Sequence, residues 1–213
     1  DERWHYAAVK DMVKDVAGTS AEPDIIKTDS LRFSRDAFDF SYLWPWPRKV
    51  AIIDIDGEIV LGKRTPDMLF GSKQVGADDV CDELQQAADD LGVKAIILRI
   101  NSPGGSAIAA DQIYQKILDI KEKKKKIVVA SCGNIAASGG YYIACAADKI
   151  IANHATILGS IGVYQQFPLF YGLLQKLEIN AEALKTGESV DMFSGFRDLS
   201  VTESELLQES VDD

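Results

Sequence analysis

Residues 94–105 read Lys-Ala-Ile-Ile-Leu-Arg-Ile-Asn-Ser-Pro-Gly-Gly. The segment 94–100 is a nearly unbroken apolar run, the pattern of a strand buried on both faces, and 101–105 is a turn. A helix is expected next, with Ala110, Ile113, Tyr114, Ile117 and Leu118 turned inward. Upstream, 50–55 is a second strand of the same kind, ending at Asp56-Gly57. Gly71 and Gly76 punctuate a polar loop. Asp78 or Asp79 then caps a helix whose apolar face is Val80, Leu84, Ala87, Ala88 and Leu91, closed by Gly92. Downstream, 127–130 is a third strand. The glycine-bounded segment 133–140 leads into a short helix, and 149–152 is a further strand. Strands that alternate with helices predict an α/β fold: a mostly parallel sheet covered on both faces.

The flanks have a different texture. Residues 1–17 carry a helical stripe, with Gly18 as its stop, and 19–47 hold three prolines and the aromatics Phe33, Phe38, Phe40, Tyr42, Trp44 and Trp46. Residues 1–48 are expected to be a helix and connector, and 49–213 one domain. The chain opens Asp-Glu-Arg without methionine, so it is expected to be a piece of a longer protein. Near the other end, Thr202 with Glu205 three residues on predicts a capping box for a last helix, cut short at Asp213.

Composition narrows the function classes. Of 213 residues 46% are apolar, enough for a core. Lysine and arginine number 23 against 33 aspartates and glutamates, a net charge of −10, which argues against holding nucleic acid. The basic run from Lys121 to Lys126 is expected to be a solvated helix end. Cys81, Cys132 and Cys145 are odd in number and lack CxxC spacing, and His5 and His154 are the only histidines. Neither a metal site nor a cofactor is expected. No apolar run reaches the length of a membrane span.

Chemistry is expected at three loops, each at the C-terminal end of a strand, where α/β sheets bind ligands. Gly104 and Gly105 follow a proline and free backbone amides in a strand-to-helix turn. Ser138 lies among small residues in Gly-Asn-Ile-Ala-Ala-Ser-Gly-Gly-Tyr-Tyr, residues 133–142, at the start of a helix. It is either the hydroxyl of a reactive site, with the free amides of a helix N-terminus beside it, or a plain N-cap. Ala136 stands where Gly-x-Ser-x-Gly requires glycine, so the elbow of the α/β-hydrolases is not expected. The third loop, 156–163, carries Gly159 and Gly162 for tight packing.

In order and spacing, Ser-Pro-Gly-Gly, Ala-Ala-Ser-Gly-Gly-Tyr-Tyr-Ile-Ala, Ala-Asp-Lys-Ile and Gly-Ser-Ile-Gly-Val resemble the signal peptide peptidase A family of serine proteases. The resemblance runs from about Val50 to Leu207. It implies a ClpP/crotonase-like fold of stacked βαβ units and cleavage of remnant signal peptides at the bacterial membrane by a Ser/Lys dyad. Ser138 matches the family's nucleophile; Gly104 or Gly105, with Gly139, matches its oxyanion hole. The family's base is the second lysine of a Lys-Ser-Gly-x-x-Lys-Asp segment. Here that segment is Lys-Thr-Gly-Glu-Ser-Val-Asp, residues 185–191, so Val190 takes the place of the base. The chain looks like the second half of a tandem member, whose first half supplies the lysine. The resemblance further implies peptide substrates, a homo-oligomer, a preceding half as partner, and an extracytoplasmic place in the cell envelope on an anchor outside this chain.

A serine needs a base. Lys185, Lys149 and His154 are the internal candidates; with none well placed, the isolated chain is expected to be nearly inactive. Two other readings stay open. One is a crotonase-type acyl-CoA enzyme, against which the absence of carboxylates in 133–140 counts. The other is a non-catalytic scaffold half, which Val190 favours.

Overall fold

The computed structural model describes residues 24–27, 49–64 and 73–212. The expected helix at 1–17, most of the aromatic connector and Gly71 lie outside the described residues. The chain divides into two compact units that meet between Ile161 and Gly162.

The first unit is built on a six-stranded sheet. Its strands are β1 (Asp24–Lys27), β2 (Lys49–Asp56), β5 (Val93–Ser102), β6 (Ile127–Ala137) and β7 (Lys149–Ile151) in that spatial order. β8 (Ile157–Gly159) also pairs with β6. Every pairing among the described strands is parallel, so the α/β expectation holds. Parallel neighbours require crossovers, and helices α1 (Ala77–Asp89) and α2 (Ala107–Lys124) supply them. A short helix α3 (Gly139–Cys145) leaves the end of β6.

Side chains alternate across the sheet. Ala51, Ile53 and Ile55 of β2, Ile96, Leu98 and Ile100 of β5, and Val128, Ala130 and Cys132 of β6 share one face. Val80 and Leu84 of α1, Ile113 and Ile117 of α2, and Ile143 of α3 pack on it. Leu98, Leu84 and Ile113 are wholly buried, each worth about 1.5–3 kcal/mol relative to exposure. The opposite face carries a second cluster: Val50, Ile52, Ala95 and Ile97. Both faces are therefore buried, as apolar strands demand, but the helices described in this unit gather on one of them. Leu91 and Leu118, expected inward, are exposed. Ile120 takes the inward place instead, because the helical face drifts with the 3.6-residue period.

Some boundaries differ from the sequence reading for local reasons. α1 begins after Gly76, without a side-chain cap; Asp78 and Asp79 lie inside its first turn. Asp79 Oδ2 instead accepts a bond from Arg64 N at 2.8 Å. α2 is capped by Ser106, whose Oγ accepts from Ala109 N at 3.4 Å. Its basic end is exposed from Glu122 to Lys125, as expected, and is also tied down by ion pairs. Lys121 donates to the Ala146 carbonyl and pairs with Asp148, while Lys124 pairs with Asp89. A small parallel pair, β3 (Glu58–Val60) with β4 (Gln74–Gly76), sits off the main sheet and has no clear periodicity in the sequence. Ile59, wholly buried, bridges from it to Gly105.

The second unit, Gly162–Asp213, holds α4 (Tyr171–Lys176) and α5 (Val201–Asp212). The capping box exists but two residues earlier than expected. Ser200 Oγ accepts from Glu203 N at 3.2 Å, and Ser200 N donates to Glu203 Oε2 at 2.9 Å. Glu203 wins over Glu205 because Arg197 also grips it, with Nη2 to Oε1 at 2.6 Å. Arg197 reaches Asp191 as well, at 2.6 Å, and Lys185 donates to Asp191 at 3.0 Å. The bonds from Arg197 and Ser200 hold the Glu203 carboxyl down at about 2, against an ordinary 4.5. Arg197 and Lys185 likewise hold Asp191 well below the usual carboxylate range. Both acids are depressed, so their contribution is complete above the ordinary carboxylate range and is lost as pH falls toward 2. Limited proteolysis should show this unit opening between about pH 4.5 and 2. Arg197→Ala should move that opening upward toward pH 4, the unperturbed carboxylate range. An unchanged acid transition in Arg197→Ala would refute the account.

Candidate active site

Ser138 joins β6 directly to α3. Its φ of 49° and ψ of −122° are costly for a residue with a Cβ, on the order of 1–3 kcal/mol. Neighbouring bonds hold it there. Ser138 N donates to the Gly159 carbonyl at 2.8 Å, and the Ser138 carbonyl accepts from Tyr142 N at 2.9 Å. The side chain makes no capping bond, so the N-cap reading of Ser138 does not describe it. Gly-x-Ser-x-Gly is absent, yet the strand, strained serine and helix follow one another without a loop.

Gly104 and Gly105 lie against this corner, both at positive φ, 104° and 152°. A Cβ on Gly104 would stand 2.8 Å from Ser138 Cβ and 2.9 Å from Gly139 N. A Cβ on Gly105 would meet the Ile59 carbonyl at 2.1 Å. No side chain fits at either position, which is the physical reason for the paired glycines. Their amides differ. Gly104 N is spent on Ser102 Oγ, a buried hydroxyl, at 3.1 Å. Around Gly105 the ladder to Ile59 uses Gly104 O and Ser106 N, which leaves Gly105 N with no described partner. Gly139 N, at the first position of α3, has no intrahelical acceptor. Gly105 N lies 3.6 Å from where a Cβ on Gly139 would stand. Two open amides therefore flank the serine.

Of the internal base candidates, Lys149 and His154 lie in the first unit with the serine, and Lys185 lies in the second. Lys149 and His154 are exposed. Lys185 belongs to the second unit, where its ammonium donates to the Glu188 carbonyl at 2.8 Å and to Asp191. Val190 is 68% exposed in the same segment. Cys132 is no alternative nucleophile: burial pushes its thiol up to about 11. The sequence reading gave no role to Ser102 or Asn101, whose side chains hold the site's loops. Their only signal is a pair of short polar residues at the mouth of an apolar strand.

The fold and this corner define a class: a parallel α/β protein with a strained, uncapped serine set beside open amides. Residues 120–213 match the model of peptidase family S49. Over 166 residues the chain is 37% identical to Protease 4 of Haemophilus influenzae, covering 78% of this chain and 26% of that protein. Over 164 residues it is 34% identical to the putative signal peptide peptidase SppA of Enterococcus faecium, covering 77% of this chain and 47% of that protein. Among solved structures it resembles a point mutant of ClpP1 from Listeria monocytogenes, with a TM-score of 0.33 and 27% identity over 45% of this chain and 46% of that one. The chain carries a peptidase family S49 domain over residues 120–213. It spans about a quarter and about half of the length of the two curated relatives.

Proposed function

We propose that this chain is the serine-bearing part of an endopeptidase that cleaves remnant signal peptides or other apolar peptides. The observation that carries the reading is the strained Ser138 beside the open amides of Gly105 and Gly139. Ser138 Oγ attacks the scissile carbonyl carbon, and its proton passes to a lysine amine. The carbonyl π electrons move to oxygen, and the oxyanion accepts bonds from Gly105 N and Gly139 N. Collapse expels the amine, which takes the proton back, and leaves an acyl-serine for water to hydrolyse. Of the two glycines weighed from the sequence, Gly105 is the better donor, because Gly104 N is already engaged.

The lysine comes from outside this chain, from a preceding half of a tandem protein. Val190 at the family's base position and the engagement of Lys185 with Asp191 support this. A fluorophosphonate probe on the full-length protein tests the reading. It should label Ser138 and no other residue of this chain. Labelling elsewhere, or none in an active preparation, would end it. A non-catalytic half is the second reading, favoured by Val190 alone, and the same experiment decides it.

The protein is further proposed to assemble as a homo-oligomer at the bacterial cell envelope, extracytoplasmic and anchored by a segment outside this chain. Among the described residues of the second unit only Gly195 and Glu203 are buried, while Leu173, Leu184, Phe193 and Phe196 are exposed. Apolar surface of that extent calls for cover. No described helix is long and apolar enough to cross a membrane. The full-length protein should sediment with membranes and elute as a multimer after detergent extraction. A soluble monomer would refute both points.

A further inference from the structure

β5 and β6 run in register from Ala95↔Ile127 to Ile100↔Cys132, and then the register jumps to Ser102↔Ala136. Across that jump one residue of β5, Asn101, faces Gly133, Asn134 and Ile135 of β6. The bulge takes the amides of Asn134 and Ile135 out of the β5–β6 ladder. Asn101 Oδ1 accepts from both, at 3.2 and 3.4 Å. Its Nδ2 donates to Asp56 Oδ1 at 3.0 Å, and Lys73 holds the other Asp56 oxygen. The partners fix which way the amide points, since backbone N–H groups only donate and a carboxylate only accepts. A Cβ on Gly133 would stand 3.2 Å from Asn101 Oδ1, so a side chain at 133 would crowd this contact. The Gly133 carbonyl accepts from Thr156 Oγ1 at 2.8 Å.

The bulge is also where β6 changes neighbour. Val129 to Ser131 pair with β7, whereas Ile135 to Ala137 pair with β8. Ser138 follows at once, and its N–H is held by Gly159 of β8. On the other side, Asn101 stands three residues before Gly104, and its carbonyl accepts from Gly57 N at 3.1 Å. The Asn101 side chain thus ties the end of β2 to the stretch that aims Ser138, and its backbone leads into the turn that carries Gly105.

We propose that Asn101 is a positioning residue for the peptidase reaction, setting Ser138 against the Gly105 amide through the β6 bulge. The proposal rests on Ser138 as nucleophile. Asparagine suits the place because it accepts from two amides and donates to a carboxylate at once. Aspartate in its place would keep the acceptor oxygen but set a second carboxylate against Asp56. The pair would then need a shared proton, with Lys73 and Arg99 as the cations that face Asp56 and soften the repulsion.

The test compares wild type, Asn101→Ala, Asn101→Asp and Ser138→Ala in the full-length protein, with a fluorogenic apolar peptide from pH 5 to 8. Asn101→Ala should lower kcat by about a hundredfold with KM nearly unchanged, and its activity relative to wild type should be flat with pH. Asn101→Asp should approach wild type at pH 5 and fall away as the shared proton leaves. The inference is overturned if Asn101→Ala keeps kcat within about twofold of wild type. It is also overturned if Asn101→Asp shows no pH dependence relative to wild type while Asn101→Ala loses activity only in step with its folded fraction. An inactive Ser138→Ala with either of those results sinks this inference alone. An active Ser138→Ala sinks the nucleophile assignment and this inference with it.

Discussion

Ser138→Ala should reduce turnover by the full-length protein by about four to six orders of magnitude and leave its melting temperature nearly unchanged. The rate effect follows from losing the attacking oxygen; what remains is the residual help of the Gly105 and Gly139 amides. The neutrality toward folding is the more particular claim. Ser138 Oγ makes no capping bond, so its removal orphans no partner in the cap. Alanine keeps the Cβ and therefore the same backbone cost at φ 49°. Stability should change by no more than about 0.5 kcal/mol, as at positions without a special contact. Activity within tenfold of wild type would remove Ser138 from the mechanism. A large loss of stability would show that the hydroxyl has a structural partner.

The second large effect is expected from the 213-residue chain assayed alone. Against an unstructured peptide its Ser138-dependent turnover should be indistinguishable from the Ser138→Ala background. A serine keeps its proton near neutral pH unless a base takes it. For a lysine to serve, its pKa must fall by about 3 units, which requires enclosure away from carboxylates. Lys185 donates to the Asp191 carboxylate, and Lys149 and His154 are exposed. Robust turnover by the isolated chain would show that an internal base exists. Lys185→Ala and His154→Ala would then identify it, and the tandem account would fall.

What could be read from the sequence was set by how local each signal is. Strands such as Val93–Ser102 announce themselves because both faces are buried and nearly every residue is apolar. The helical faces of α1 and α2 follow from periodicity, with errors such as Leu118 for Ile120 at the margin of the stripe. β6 was expected to stop near Ala130 but continues to Ala137, since glycine and asparagine in its middle look like a turn. They form a bulge instead, and the bonds that sustain it come from Asn101, 33 and 34 residues earlier in the chain. The capping box moved from Thr202 and Glu205 to Ser200 and Glu203 because Arg197 selects between two equivalent spacings. The serine and the glycines were legible as small residues at strand ends. Which glycine amide is open was not, because that depends on the Ser102 hydroxyl and on the bridge from Ile59.

The parallel sheet has a consequence for the time before the protein is finished. No hairpin joins its described neighbours: Asp56 meets Asn101 45 residues later, and Asn101 meets Asn134 after 33 more. Each contact must wait for a whole crossover to be synthesised and closed, and such distant pairings form slowly. The conformation of Ser138 is costly by itself and is held by Gly159, further along still. A nascent chain therefore carries the serine without the corner that gives it purpose. The corner around Ser138 is complete only when strands from four separate stretches of the chain have met; on the proposed reading, the unfinished polypeptide therefore poses little danger to the machinery that makes it.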